Sequence, residues 1–205
     1  PATGVVVNSP TSITAVSPAT LATGTVDVVV HTSAGDSTTS GALGVAANDF
    51  EYTLVRPAVT SLSPATGTTV GGTSVTITGT GFLSGSTVKF GDLDATGVVV
   101  NSPTSITAVS PATVTVGTVD VTVTTDGGTN ATDLAGDNFA YTAAVPTVSS
   151  VSPNEGPTSG GTSVTITGTG FVTGASVKFG TRPATGVVVN SPTSITAVSP
   201  ATVTP

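Results

Sequence analysis

The sequence predicts an all-β chain built of repeated two-sheet sandwiches, and three observations carry that expectation. The stretch Ala2–Thr20 recurs without a substitution at Ala95–Thr113 and at Ala184–Thr202. A long internal repeat of this kind marks an array of similar units. Within each copy, Val and Ile alternate with small polar residues and are cut by Asn-Ser-Pro and Ser-Pro, which reads as two short strands joined by a turn. Hydrophobic residues make up 37% of the chain and charged residues only 7%, whereas disorder usually needs low hydrophobicity and high charge.

The repeat boundaries fall at two similar segments, Pro57–Pro64 and Pro146–Pro153. They divide the chain into the later part of a repeat over 1–55, a complete repeat over 56–144 and the early part of another over 145–205. In the complete unit, Ala58–Ser63 is the first expected strand, and Gly71-Gly72 turns the chain into Thr73–Thr80. There Val75 and Ile77 alternate with Ser74, Thr76 and Thr78. Strand side chains alternate between faces, so Val88 and Phe90 point one way and Lys89 the other. Gly97–Val100, Ser105–Val109 and Thr118–Thr125 follow, the last with Val119, Val121 and Val123 on one face, and Phe139 and Tyr141 share a face in the final strand. About seven short strands with turn residues between most of them and no helical period suit an immunoglobulin-like β-sandwich, here without the Cys–Trp–Cys signature.

These residues also carry a more specific likeness. Pro57–Pro64, Gly67, Gly71–Phe82 and Val88–Gly91 form a run that the third unit repeats at Pro146–Pro153, Gly156, Gly160–Phe171 and Val177–Gly180. The run resembles the IPT/TIG family. The resemblance covers essentially the whole chain, although the first unit has only the later strands. It implies tandem immunoglobulin-like sandwiches of the E-set type, modules found in cell-surface receptors, some transcription factors and repeats of bacterial surface proteins. A fold of this kind leaves function open.

Composition removes several functions. The basic residues are Arg56, Lys89, Lys178 and Arg182, scattered singly in a chain of net charge −7. Nucleic-acid surfaces need clustered cations, and attachment to anionic lipid needs them too. No segment approaches the roughly 20 apolar residues that span a bilayer. With no cysteine, thiol redox chemistry and thiolate metal sites are absent.

Candidate chemistry is sparse. A nucleophilic triad needs a histidine, and the single one, His31, has Thr124 as its counterpart in the complete unit. The Gly79–Phe82 and Gly168–Phe171 segments look like a nucleotide-binding loop only superficially, because no helix follows. Oxygen ligands gather in the loop from Asp126 through Asp133 to Asp137, the type of donor calcium prefers. The loop matches neither an EF-hand nor the Gly-rich nonapeptide, so solvated turn carboxylates are the plainer expectation. Lys89 and Lys178 could cross-link to Asn or Asp only if buried beside a carboxylate, and alternation turns both outward. Asn130-Ala131-Thr132 is a lone acceptor sequon for N-glycosylation. The aromatic pairs Phe50/Tyr52, Phe82/Phe90, Phe139/Tyr141 and Phe171/Phe179 recur at equivalent positions. Core packing explains them, which leaves little for a sugar to stack on.

The expectation is therefore a non-catalytic extracellular or cell-surface repeat without cofactor or metal. It would serve as part of a stalk, fibre or adhesin shaft, made semi-rigid by the short Pro-containing linkers Leu54–Pro57 and Ala143–Pro146. Its expected partners are other copies or neighbouring repeats, met end to end or by strand addition, and cell-surface or matrix components. The chain starts and stops inside the same repeated stretch, which reads first as a window on a longer periodic chain and otherwise as sandwiches completed by neighbouring chains. The rival class is a ligand- or carbohydrate-binding accessory module of a secreted adhesin or polysaccharide-degrading enzyme.

Overall fold

The computed structural model describes residues 1–20, 22, 24–37, 48–132 and 135–202. Among these residues every regular element is a strand. The complete unit contains the strands the sequence predicts, at Ala58–Ser63, Ser74–Thr80, Thr87–Phe90, Thr96–Ser102, Ser105–Val109, Gly117–Thr125 and Asn138–Thr142.

One four-stranded sheet runs in the order Thr96–Ser102, Ser105–Val109, Ser74–Thr80, Ala58–Ser63. The second centres on Gly117–Thr125, flanked by Thr87–Phe90 on one side and Asn138–Thr142 on the other. Alternation decides which side chains meet between the sheets. Ser74–Thr80 buries Val75 and Ile77 and exposes Ser74, Thr76 and Thr78. Val88 and Phe90 turn inward while Lys89 faces out. The resulting core joins Val59, Val75, Ile77, Phe82, Val88, Phe90, Ile106, Ala108, Val121, Val123, Phe139 and Tyr141. Phe139 sits edge-on to both Phe90 and Tyr141, with ring centroids 4.9 and 5.0 Å apart, a favoured aromatic arrangement.

Three strands in this unit were not expected from the sequence. Leu93–Asp94 and Gly128–Thr129 are two-residue hairpin partners. The third, Thr66–Thr68, pairs in parallel with Ala140–Thr142. Gly67 is needed there for room, because a Cβ would lie 2.7 Å from Phe139 Cζ. The expected turn glycines Gly71 and Gly72 do adopt positive φ, 78° and 79°, a region glycine enters without steric penalty.

The last unit repeats the first of these sheets with Thr185–Ser191, Ser194–Val198, Ser163–Thr169 and Thr147–Ser152 in the same order. Its second layer consists, among the described residues, of the small ladder Lys178–Phe179 with Arg182–Pro183. The core is correspondingly smaller, formed by Val164, Ile166, Phe171, Ile195 and Ala197.

Among its described residues the first unit contains three two-stranded ladders: Thr3–Ser9 with Ser12–Val16, Gly24–Asp27 with Asp49–Tyr52, and His31–Thr32 with Gly35–Asp36. None of its described residues is fully buried.

Candidate functional site

The predicted chemical candidates are dispersed. Asp126 is exposed at a hairpin tip, whereas Asp137 is fully buried, so the expectation of solvated turn carboxylates fails for Asp137. Asp133 lies outside the described residues. Among the described residues no group of three or more His, Cys, Asp or Glu side chains could hold a metal ion. The backbone carbonyl of Asp137 accepts from Val121 N–H at 2.7 Å, which anchors this segment to the central strand.

The sequon is engaged in the same place. Asn130 is 2% exposed; its Oδ1 accepts from Val123 N–H at 2.6 Å and its Nδ2 donates to Ala131 O at 2.9 Å. A folded chain does not present this amide for glycosylation. In the first unit Ser37 Oγ does the corresponding work, accepting from Val30 N–H at 2.9 Å.

His31 is exposed and lies 2.5 Å from Asp36 Oδ1. The counterpart pair is Thr124 and Thr129, whose hydroxyls are 2.8 Å apart. The histidine therefore occupies an ordinary cross-strand position. Lys89 is likewise surface-facing and pairs with Asp94 at 2.7 Å, and Lys178 is exposed; the bare-loop resemblance at Gly79 resolves into packing, since a Cβ there would lie 2.0 Å from Ala58 O.

Tyr141 has a perturbed titration. Burial pushes its phenol up to about 12, with the Ser110 hydroxyl pulling the other way. Its O–H donates to Pro111 O at 3.0 Å, so it fastens the last strand to the end of the opposite sheet. Tyr52 makes the same bond in the first unit, to Pro18 O at 2.9 Å.

The aromatic pairs divide by context. Phe82, Phe90, Phe139, Tyr141 and Phe171 are buried, as expected. Phe50 is 40% exposed although it packs edge-on to Tyr52 at 5.0 Å, so core packing does not account for it. In the last unit a groove of about 190 Å³ opens between the layers, lined among others by Val151, Gly156, Val164, Phe179 and Pro200. The three atoms nearest a Cβ on Gly156 would all belong to Thr162, whereas the corresponding Gly67 faces Phe139. The groove thus lies where the complete unit holds its final strand. Sequence reasoning missed both features, because exposed and buried copies have the same local pattern.

The fold and these surfaces define immunoglobulin-like sandwich repeats with no assembled reactive centre among the described residues. The IPT/TIG domain profile matches residues 57–142 and 146–204, and the chain belongs to this family. Among solved structures, it is similar to the full extracellular region of plexin A4 at 27% identity and TM-score 0.38, covering 72% of this chain and 13% of that one. It is similar to SGBP-B from a complex xyloglucan utilization locus in Bacteroides uniformis at 24% identity and TM-score 0.30, covering 72% and 42%. Invasin, a bacterial integrin-binding protein, is similar at 17% identity and TM-score 0.32, covering 76% and 37%. The chain thus spans only a fraction of each of these proteins. Curated proteins gave no match. Among the described residues no helix is long and apolar enough to cross a membrane.

Proposed function

We propose that this chain is a non-catalytic extracellular repeat whose role is structural, a semi-rigid segment of a stalk, fibre or adhesin shaft with units over 1–55, 56–144 and 145–205. The observation that supports it best is the bracing of the junctions. At the first junction Gly127 lies so close to Val55 that a Cβ would be 2.2 Å from Val55 O, and within the complete unit Arg56 Nε fixes the end of the linker by donating to Thr129 O. At the second junction Thr173 N–H donates to Val114 O at 2.7 Å. Ties of this kind on linkers of a few residues restrict rotation between neighbours, which otherwise move freely across small interfaces. Small-angle scattering of the dilute 205-residue chain tests this. A single elongated species is expected, and a broad distribution of inter-unit distances would overturn the rod.

A second reading, the ligand- or carbohydrate-binding accessory module, is favoured by the exposed Phe50 beside Tyr52. Aromatic faces of this kind stack on sugars. Affinity electrophoresis in xyloglucan checks it: retardation that Phe50→Ala abolishes supports binding, and unchanged mobility removes it.

A further inference from the structure

We propose that the outer face of the four-stranded sheet, built alike in the complete and the last unit, is a lateral contact on which a second copy of this chain lies face to face. This deepens the structural-repeat reading and rests on it, since it lets rods lie side by side.

Register arranges the side chains of this face in rows. Ser63, Thr76, Thr107 and Val99 oppose one another across the four strands of the complete unit, and Ser61 with Thr78 belongs to the next row. They point away from the core, because Val75 and Ile77 take the inward positions between them. In the last unit Ser152, Thr165, Thr196 and Val188 form the same row. Val99 and Val188 are each 54% exposed.

The first argument for the occupant is charge. No strand of this sheet contains a charged residue in either unit, whereas Lys89, Asp94 and Asp120 lie on strands of the second sheet. The whole chain carries a net charge of −7, so two copies repel by most approaches. Meeting through the neutral face sets no like charges against each other, a juxtaposition that costs several kcal/mol. The charged edge also changes between units, Asp92 and Asp94 giving way to Thr181 and Pro183, while the rows keep the same letters. Each such sheet therefore offers the same neutral surface.

The second argument is hydrogen-bonding chemistry. A hydroxyl both donates and accepts, so a face of Ser and Thr is complementary to its own copy, which a face of carboxylates is not. The threonine methyls and the exposed valines add apolar area. Stacked sheets keep their strand directions within about 30° of each other, and a second copy would repeat outside the sandwich the packing already present inside it. Because both partners use one surface, the contact is isologous and has a twofold axis.

The third argument is size. Four strands about 4.8 Å apart, each about six residues long at about 3.4 Å per residue, make a face on the order of 400 Å². Two units engaged together reach about 800 Å² per partner, the standard size of a specific interface. One unit alone supplies half of that, so the contact is weak singly and gains strength from repetition.

The test is sedimentation of the 205-residue chain over a concentration series, run beside charge-bearing variants. Average mass should rise above the 19.6 kDa of one chain with concentration. Thr76→Lys combined with Thr165→Lys should return it to one chain, and Thr76→Asp combined with Thr165→Asp should do the same, because either pair opposes like charges across the contact. An equimolar mixture of the two variants should associate again, at least about tenfold more tightly than either alone. Mixing does not rescue a misfolded chain, so recovery separates a lost contact from a lost fold. Thr87→Lys, at an exposed position of the second sheet, should leave the mass unchanged. A single-chain mass for the unaltered chain at every concentration, a mass insensitive to the lysine and aspartate pairs, or no recovery on mixing would each overturn the proposal. A chain that stays single yet is retarded in xyloglucan gels until the lysine pair is introduced would assign the face to a neutral polysaccharide instead. The rod itself is judged by scattering from dilute single chains, so the two ideas fail separately.

Discussion

The same hairpin occurs three times in this molecule, and its surroundings give it two different characters. At Ser105–Val109 and Ser194–Val198 the sequence Ser-Ile-Thr-Ala-Val buries its Ile and Ala. At Ser12–Val16 every residue is exposed. The hairpin ladder is the same in all three copies, down to the bulges that follow Thr3, Thr96 and Thr185. Local sequence therefore specifies the turn and the register. What separates the copies is the neighbour. Ser105–Val109 lies against Ser74–Thr80 across five paired residues, and Ser194–Val198 against Ser163–Thr169. The first hairpin has no such strand among the described residues. An alternating strand offers an apolar face, and only a second layer turns that face into stability.

The largest test of this contrast is to truncate one residue in each context. Ile106→Ala removes a fully buried side chain and should cost about 2–5 kcal/mol, the range for large-to-small changes in a core. Ile13→Ala alters an identical sequence at a site 43% exposed and should fall within about 0.5 kcal/mol, as surface substitutions do. Chemical denaturation of both variants checks it, and equal losses would sink the idea that context decides.

A smaller effect should separate by pH. The phenol of Tyr141 is held up to about 12 against an ordinary 10.0. The unfolded chain then loses its proton first as pH rises, so stability is full below pH 10 and falls between pH 10 and 12. The loss should reach at most about 2–3 kcal/mol, since each pKa unit corresponds to about 1.4 kcal/mol. Tyr141→Phe should flatten that part of the alkaline denaturation curve; a curve unchanged by the substitution would assign the drop elsewhere.

The smallest contrast lies between two glycines. Gly67→Ala drives a methyl into Phe139 and Thr73 and should cost about 1–3 kcal/mol, the range for overpacking. Gly156→Ala presses its methyl on the Thr162 side chain with no aromatic ring among its nearest neighbours, so its melting shift should be smaller than that of Gly67→Ala. Equal melting shifts would mean that Phe139 yields as easily as Thr162.

The sequence made the strands readable wherever alternation ran for four residues or more, as at Ser74–Thr80 and Thr87–Phe90. Thr66–Thr68 escaped because three residues around a glycine show no period, and the strand exists only through a partner far along the chain. The burial of Asp137 and Asn130 escaped for a related reason. Asp and Asn in a Gly-rich loop usually signal solvent, and only the fold shows that the backbone at Val121 and Val123 draws them inward. The family motif correctly indicated the sandwich. It could not distinguish an exposed hairpin from two covered ones with the same letters.

The parallel ladder between Thr66–Thr68 and Ala140–Thr142 has a mechanical meaning. It joins the entering and leaving ends of the complete unit side by side, reinforced by Thr69 N–H to Thr142 O at 2.9 Å and Thr142 Oγ1 to Gly67 O at 3.1 Å. Tension drawn through the two linkers pulls these strands in opposite directions along their length. The bonds between them are then loaded together in shear instead of being unzipped one at a time, so this short ladder is well placed to resist extension.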